Sequence, residues 1–240
     1  MPIIFDEVNH VEKMLDNGFQ TNNNKFELQL LANYFRLHNF SDSDIEIELH
    51  NYCKRYVQNY NKVKFYKLID EKVERSKKSK MKLSVPINIT QSEMDTILNE
   101  QNYKCQKLMF VYLVLAKYYM SNNHTDKYYV GCKDNDIFNL CEMYIRKSDK
   151  MDLMHYLTKR GYITPTLSMS SIINYVDEDS EPVITLVPNT DMVYYFERYL
   201  GGYFTTCACC GLLTKRKSNR TKYCSICLEK IKKGEIDRVE

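Results

Sequence analysis

The chain has 240 residues, with 44% hydrophobic and 27% charged side chains, a composition that excludes a disordered chain and leaves an ordinary globular protein. On a scale of ~100–150 residues per domain, this length holds one large domain or two or three small ones. A net charge of +3 is too mild to name a partner, but residues 212–240 hold 9 basic against 4 acidic side chains and the remainder is slightly acidic.

Helical periodicity dominates the first 84 residues. Asp6–Leu15 is a short amphipathic segment stopped by Asn17-Gly18. Phe26, Leu28, Leu30, Leu31, Tyr34, Phe35 and Leu37 keep helical spacing over a broad apolar face. Ser41, with Asp44 three residues on, resembles a capping box with Asp in place of Glu or Gln, and opens a helix carrying Ile45, Leu49, Tyr52 and Tyr56. The acidic stripe Asp42, Asp44, Glu46 and Glu48 reads as capping and solvation. Val63, Phe65, Tyr66, Ile69 and Val73 mark a further helix that runs into Lys72, Arg75, Lys77, Lys78, Lys80 and Lys82. That run reads either as a solvated helix end or as a phosphate contact. Val85-Pro86 closes it, because proline disfavours helix in the residue before it.

Thr90 and Glu93 form a complete capping box ahead of a strongly apolar helix, Tyr103–Tyr119. A polar loop, Ser121–Lys127, and a short strand at Tyr128–Val130 follow, then helices over Asp134–Met143 and Ser148–Arg160. Gly161 supplies a left-handed stop, and strand-like runs cover Tyr162–Leu167, Ser171–Val176 and Val183–Val187. A last helix, Asp191–Leu200, ends at Gly201-Gly202. Helix, strand, two helices and a hairpin is the order of a winged helix-turn-helix, and "HYLTKRGYI" is similar to the exit from its third helix into the wing. The candidate recognition helix offers Lys147, Lys150, Lys159 and Arg160, but Asp149 and Asp152 share it and repel phosphates. The expected wing loop, Asp177-Glu178-Asp179-Ser180-Glu181, is acidic and suits a protein contact better than DNA.

Near the C-terminus, Cys207 and Cys210 form one C-x-x-C, and Cys224 and Cys227 a second, thirteen residues further on. This spacing suits four thiolates closing tetrahedrally on zinc at ~2.3 Å. Four thiolates leave no open position, so a structural zinc is expected. Cys209 stands between the first two and leaves open which of Cys209 and Cys210 is the ligand, although the C-x-x-C-Gly frame favours Cys210. A knuckle, a basic hairpin and a second pair at the start of a helix, Ser225–Val239, correspond to a treble clef or zinc ribbon. The connecting loop carries Lys215, Arg216, Lys217, Arg220 and Lys222, suited to phosphates, and Tyr223, suited to stacking on a base. Cys53, Cys105, Cys132 and Cys141 are scattered and read as reduced structural cysteines.

The expected fold class is therefore mainly α with a small β component, in three parts: a helical domain over residues 1–84, a winged-helix-like domain over 85–203 and a zinc module over 204–240. MPIIFDEVNH has no basic start followed by an apolar run, and the longest apolar stretch, Leu108–Ala116, is short of the ~20 residues a bilayer needs. A cytoplasmic protein without membrane contact is expected.

Taken whole, the chain resembles a family of uncharacterised proteins from phages and mobile elements of low-GC Gram-positive bacteria. The stretches that carry the resemblance are "LLANYFRLHNFSDSDIEIELHNYCKRY", "PINITQSEM", "FVYLVLAKYY", "VDEDSEPV" and "CACCGLLTKRKSNRTKYCSICLEKIKK". It implies a cytoplasmic protein with a winged-helix-like middle and a C-terminal four-cysteine zinc module, and implies no particular activity.

Catalysis has little support. His10, His38, His50, His124 and His155 are dispersed, and no Gly-rich phosphate loop, H-E-x-x-H or G-x-S-x-G occurs. No small-molecule substrate is expected. The leading expectation is a non-enzymatic DNA- or RNA-associated regulatory protein. The alternative is an anti-defence effector that docks on a host protein or nucleoprotein complex through its acidic loop.

Overall fold

The computed structural model describes residues 3–123, 127–167 and 170–238. It is mainly α with a small β component, with ten helices and seven short strands among the described residues. Among those residues, no helix is long and apolar enough to cross a membrane. The chain divides between Ser84 and Val85 into two compact units, and the four-cysteine segment falls in the second together with the middle of the chain.

The first unit is a bundle of α1 (Glu7–Asn17), α2 (Asn24–Leu37), α3 (Asp42–Tyr56) and α4 (Lys62–Ser76). Each helix starts where a polar side chain accepts a hydrogen bond from the backbone N–H three residues on: Asp6 from Asn9, Asn23 from Phe26, Ser41 from Asp44 and Asn61 from Lys64. Such caps satisfy N–H groups that the helix itself leaves without partners. The core joins Val11 and Met14 of α1, Leu28 and Leu31 of α2, Ile45 and Leu49 of α3, and Ile69 and Val73 of α4. Gly18 ends α1 at φ 79°, where a Cβ would stand 2.7 Å from the Tyr56 ring. In the basic run, Lys72 is buried, Arg75 pairs with Glu71, and Lys77 reaches Asp42 at 2.9 Å.

The second unit opens with β1 (Ile87–Thr90), α5 (Gln91–Leu98) and α6 (Tyr103–Asn123). The capping box of α5 is complete: Glu93 N–H donates to Thr90 Oγ1, and Thr90 N–H donates to Glu93 Oε2 at 2.9 Å. Residues Leu108–Ala116 of α6 are buried on every side, as befits a central helix. Its two buried lysines are each paired, Lys107 with Glu197 at 3.0 Å and Lys117 with Glu93 at 2.8 Å, because an unpaired charge there is costly.

Around α6 lie β2 (Tyr129–Val130), α7 (Asp134–Leu140), α8 (Lys147–Lys159), β3 (Ile163–Pro165), β4 (Ser171–Ile173), β5 (Pro182–Leu186) and α9 (Met192–Tyr199). The first sheet pairs β1 with β5, matching Ile87 with Leu186 and Ile89 with Ile184. A second sheet has the order β2-β4-β3, all antiparallel. This corrects the expected wing. Asp177–Glu181 does not close a hairpin, because β4 before it and β5 after it belong to different sheets. The hairpin is β3–β4, closed by residues 166–170, of which 168 and 169 lie outside the described residues. Residues 124–126 of the expected polar loop also lie outside them.

Candidate metal centre

Strands β6 (Phe204–Thr206) and β7 (Leu213–Lys215) pair as a hairpin, and the first cysteine pair occupies its tip. Cys207 N–H donates to Leu212 O at 2.8 Å, and Gly211 N–H donates back to Cys207 O at 2.9 Å. Gly211 takes φ 73°, which glycine adopts without a Cβ penalty. The second pair lies at the start of α10 (Ser225–Lys232), where Cys224 is the capping residue and its sulfur accepts from Cys227 N–H at 3.4 Å. Cys224 N–H in turn donates to Cys207 Sγ at 3.3 Å. Of the basic residues only Lys215 is on the hairpin: β7 ends there, and the rest follow in the loop to α10. The terminal helix is also shorter than the expected Ser225–Val239. It stops at Lys232, with Gly234 at φ 70° and Glu235 N–H donating to Lys230 O. Val239 lies outside the described residues.

The sulfurs of Cys207, Cys210, Cys224 and Cys227 all lie within 4.8 Å of one another. Cys210 Sγ and Cys224 Sγ are 3.8 Å apart, far beyond the ~2.05 Å of a disulfide. A tetrahedron with metal–sulfur bonds of ~2.3 Å has an edge of ~3.8 Å, so the spacing fits a metal-bound tetrad. Cys209 is exposed and outside the group. Burial works against ionisation of Cys207, yet the backbone N–H groups of Cys210, Cys224 and Cys209 directed at its sulfur hold the thiol below the usual range. Burial pushes the thiols of Cys210 and Cys227 up, and at Cys227 the neighbouring sulfurs add to it. Four thiolates so close repel one another unless a cation lies between them. The donor set is soft, closed and tetrahedral, and could hold a metal ion such as zinc or iron. The other cysteines differ in kind. Cys53, Cys105 and Cys132 are pushed up to about 11, chiefly by burial, and burial also raises Cys141.

The hairpin is anchored by residues that sequence reading missed. Asp191 stands at the start of α9, but its carboxylate does not cap that helix and instead accepts from Leu213 N–H. Lys215 Nζ lies 3.0 Å from Glu142 Oε2 and 3.1 Å from Glu197 Oε2, and 5.0 Å from the centre of the Tyr194 ring. Burial opposes its charge, yet the two carboxylates hold its pKa above the ordinary value. No local signal points to these contacts, since Glu142 is 73 residues away and Asp191 is 22 residues from Leu213.

The remaining candidate residues are placed unevenly. Arg216 donates to Asn219 Oδ1 at 2.9 Å. Lys217, Arg220 and Lys222 are exposed, and no ion pair engages them among the described residues. Tyr223 is half-buried beside them. On α8, Lys147 and Lys159 are exposed, and Lys150 donates to Asn135 Oδ1 at 2.9 Å. Arg160, the residue that caps its C-terminus, is tied to Glu100 at 3.1 Å. In the acidic segment, Asp177 folds inward: its N–H donates to Glu93 Oε1 at 2.9 Å, and its carboxylate accepts from Ser180 Oγ and Asp179 N–H. Glu178, Asp179 and Glu181 remain exposed.

Comparison with known proteins finds no family model, no curated protein and no solved structure that matches the chain.

Proposed function

We propose that this is a non-enzymatic nucleic-acid-associated protein of phage or mobile-element type, in which a structural zinc ion shapes the C-terminal module and the module's basic loop contacts phosphates. The observation that carries the reading is the coincidence of a closed four-thiol site with cations that no ion pair engages among the described residues. Zinc with four thiolates has a formal charge of about −2. Lys215 is matched by Glu142 and Glu197, so Arg216, Lys217, Arg220 and Lys222 remain and exceed the charge of the centre. A loop that only balanced the metal would need fewer. Zinc is the metal proposed because four-thiolate shells are its common structural sites and contribute folding energy directly. The sheet order β2-β4-β3, with α7 and α8 between β2 and the hairpin, supports a winged-helix reading of the middle. There α8 would position the module, with few phosphate contacts of its own.

Metal analysis followed by a salt series tests this. One zinc per chain is expected, lost in Cys224→Ser, together with nucleic-acid binding whose affinity falls with log salt by about 0.7–0.9 per phosphate contacted. Undiminished binding by metal-free protein would discard the reading. Insensitivity to salt would do the same, and would direct attention to a host protein or nucleoprotein partner.

A further inference from the structure

We infer that the hollow between the loop from Lys217 to Lys222 and the start of α10 takes a phosphate monoester, so that the module holds a strand by its phosphorylated end. This rests on the nucleic-acid reading above and names the group that the loop recognises.

The hollow measures about 410 Å³, and Thr214, Lys217, Ser218, Arg220, Thr221 and Lys222 form its polar lining together with Lys215. Lys215 is held by Glu142 and Glu197. The other three cations have no ion pair among the described residues, and no carboxylate lines the hollow beside them. Three positive charges around one concavity favour an anion of more than one charge. A phosphodiester inside a strand carries a single negative charge and has a sugar on each side. A monoester carries about −1.5 to −2 at neutral pH and presents three strong acceptor oxygens. With one substituent instead of two, it enters a hollow end-on.

The Thr221 hydroxyl points independently to an acceptor. A hydroxyl has one proton to donate and two lone pairs to accept with. Thr221 Oγ1 accepts from the backbone N–H groups of Lys217 and Ser218 at 3.2 and 3.1 Å, so both lone pairs are taken. Its proton has no acceptor among the described residues. A leftover donor beside three cations excludes a cationic ligand and fits a phosphate oxygen. The guanidinium of Arg220 adds a planar fork of donors suited to two such oxygens. The loop is also held in place before anything binds. Ser218 Oγ accepts from Arg220 N–H at 3.3 Å, and Ala208 N–H donates to Lys222 O at 2.9 Å, tying the loop to the turn between Cys207 and Cys210. A preformed hollow loses little order when filled.

Fluorescence anisotropy on the full-length, zinc-loaded protein tests the inference. The probes are oligo-dT of about 12 nucleotides, within the ~4–16 that single-strand sites span, labelled at an internal base. One carries a 5′-phosphate, one a 3′-phosphate and one hydroxyls at both ends, with dTMP and inorganic phosphate as competitors. At equal salt a phosphate-ended strand is expected to bind at least about tenfold tighter than the hydroxyl-ended one, the worth of about one hydrogen bond to a charged group. Arg220→Ala and Lys222→Ala should each remove most of that preference with zinc content intact. Lys230→Ala, on α10 but outside the lining, should keep it. Equal affinity for all three strands overturns the inference but leaves the backbone-phosphate reading standing. A preference that survives in both zinc-loaded variants overturns it too, since the monoester would then be held elsewhere. Competition by dTMP or inorganic phosphate at the strand's own affinity overturns the strand as the source and leaves a site for that small anion. Failure of every probe to bind removes both readings together.

Discussion

Lys215 and Glu142 meet at 3.0 Å across 73 residues of sequence, joining the end of the cysteine hairpin to the turn after α7. Glu142 adopts φ 51°, a left-handed conformation unusual for a side chain of its size. Glycine would relieve that backbone, yet only the carboxylate accepts from both Lys215 and the Tyr194 hydroxyl. Glu142→Ala keeps the backbone strain and loses both contacts, so about 1–2 kcal/mol of stability should go, the ion pair being half-exposed. Glu142→Gly loses the same contacts but relieves about 1 kcal/mol of strain. Urea unfolding of the two variants should place the glycine form above the alanine form. The reverse order would show that the turn is not strained.

Lys215 and Lys222 lie in one basic segment but should behave oppositely in binding. Lys215 is already held by two carboxylates, whereas Lys222 is exposed. Lys222→Ala is expected to lower the salt dependence of nucleic-acid binding by about one phosphate contact, with stability changed by no more than about 0.5 kcal/mol. Lys215→Ala should lower stability and leave the salt slope unchanged. A steeper loss of slope from Lys215 would mean that it leaves its carboxylates to reach the ligand.

The choice between the two adjacent cysteines is also settled by placement. Cys210 Sγ lies 3.8 Å from Cys224 Sγ, and Cys209 lies outside the tetrad. Cys209→Ser should retain one zinc per chain through gel filtration, and Cys210→Ser should not, since a structural site needs all four ligands. Zinc assayed on the purified variants decides this. Retention by Cys210→Ser would show that Cys209 moves in as the fourth ligand.

What was legible in the sequence was local. Ser41 and the Thr90–Glu93 pair mark helix starts because a cap acts over three residues. The two C-x-x-C pairs are readable for the same reason. Strand pairing was not legible. Strands of two to five residues carry too little pattern to name a partner, so their spacing suggests a hairpin tip at the acidic segment, while β5 in fact pairs with β1, some 97 residues earlier at Asn88–Thr185. Lys215 misleads likewise, because a sequence displays a cation and hides the carboxylates that meet it. The terminal helix is shorter than its periodicity suggests for a local reason: Gly234 follows α10 in the left-handed conformation that glycine favours, and the helix stops before it.

Glu100, between α5 and α6, should report the acid sensitivity of the second unit. Its buried carboxylate accepts from the Tyr156 and Tyr162 hydroxyls, each at 2.7 Å, and from Arg160 Nε and Nη2 at 3.2 and 3.1 Å. Burial alone would raise its pKa, but the two hydroxyls and the guanidinium hold it below the ordinary carboxylate value. A folded-state pKa below the unfolded ~4.3 stabilises the fold above that pH, and the benefit is lost as pH falls through the folded value. Much of Arg160 is in water, so its share is small and the two hydroxyls dominate. Glu100→Gln should therefore cost about 2 kcal/mol at pH 7, the worth of hydrogen bonds to a charged acceptor. As pH falls through the folded value the native carboxyl takes up its proton and becomes nearly isosteric with the amide, so the two proteins should converge in urea midpoint. A difference that stays constant from pH 7 down to acid unfolding would mean that the network depends on shape and not on charge.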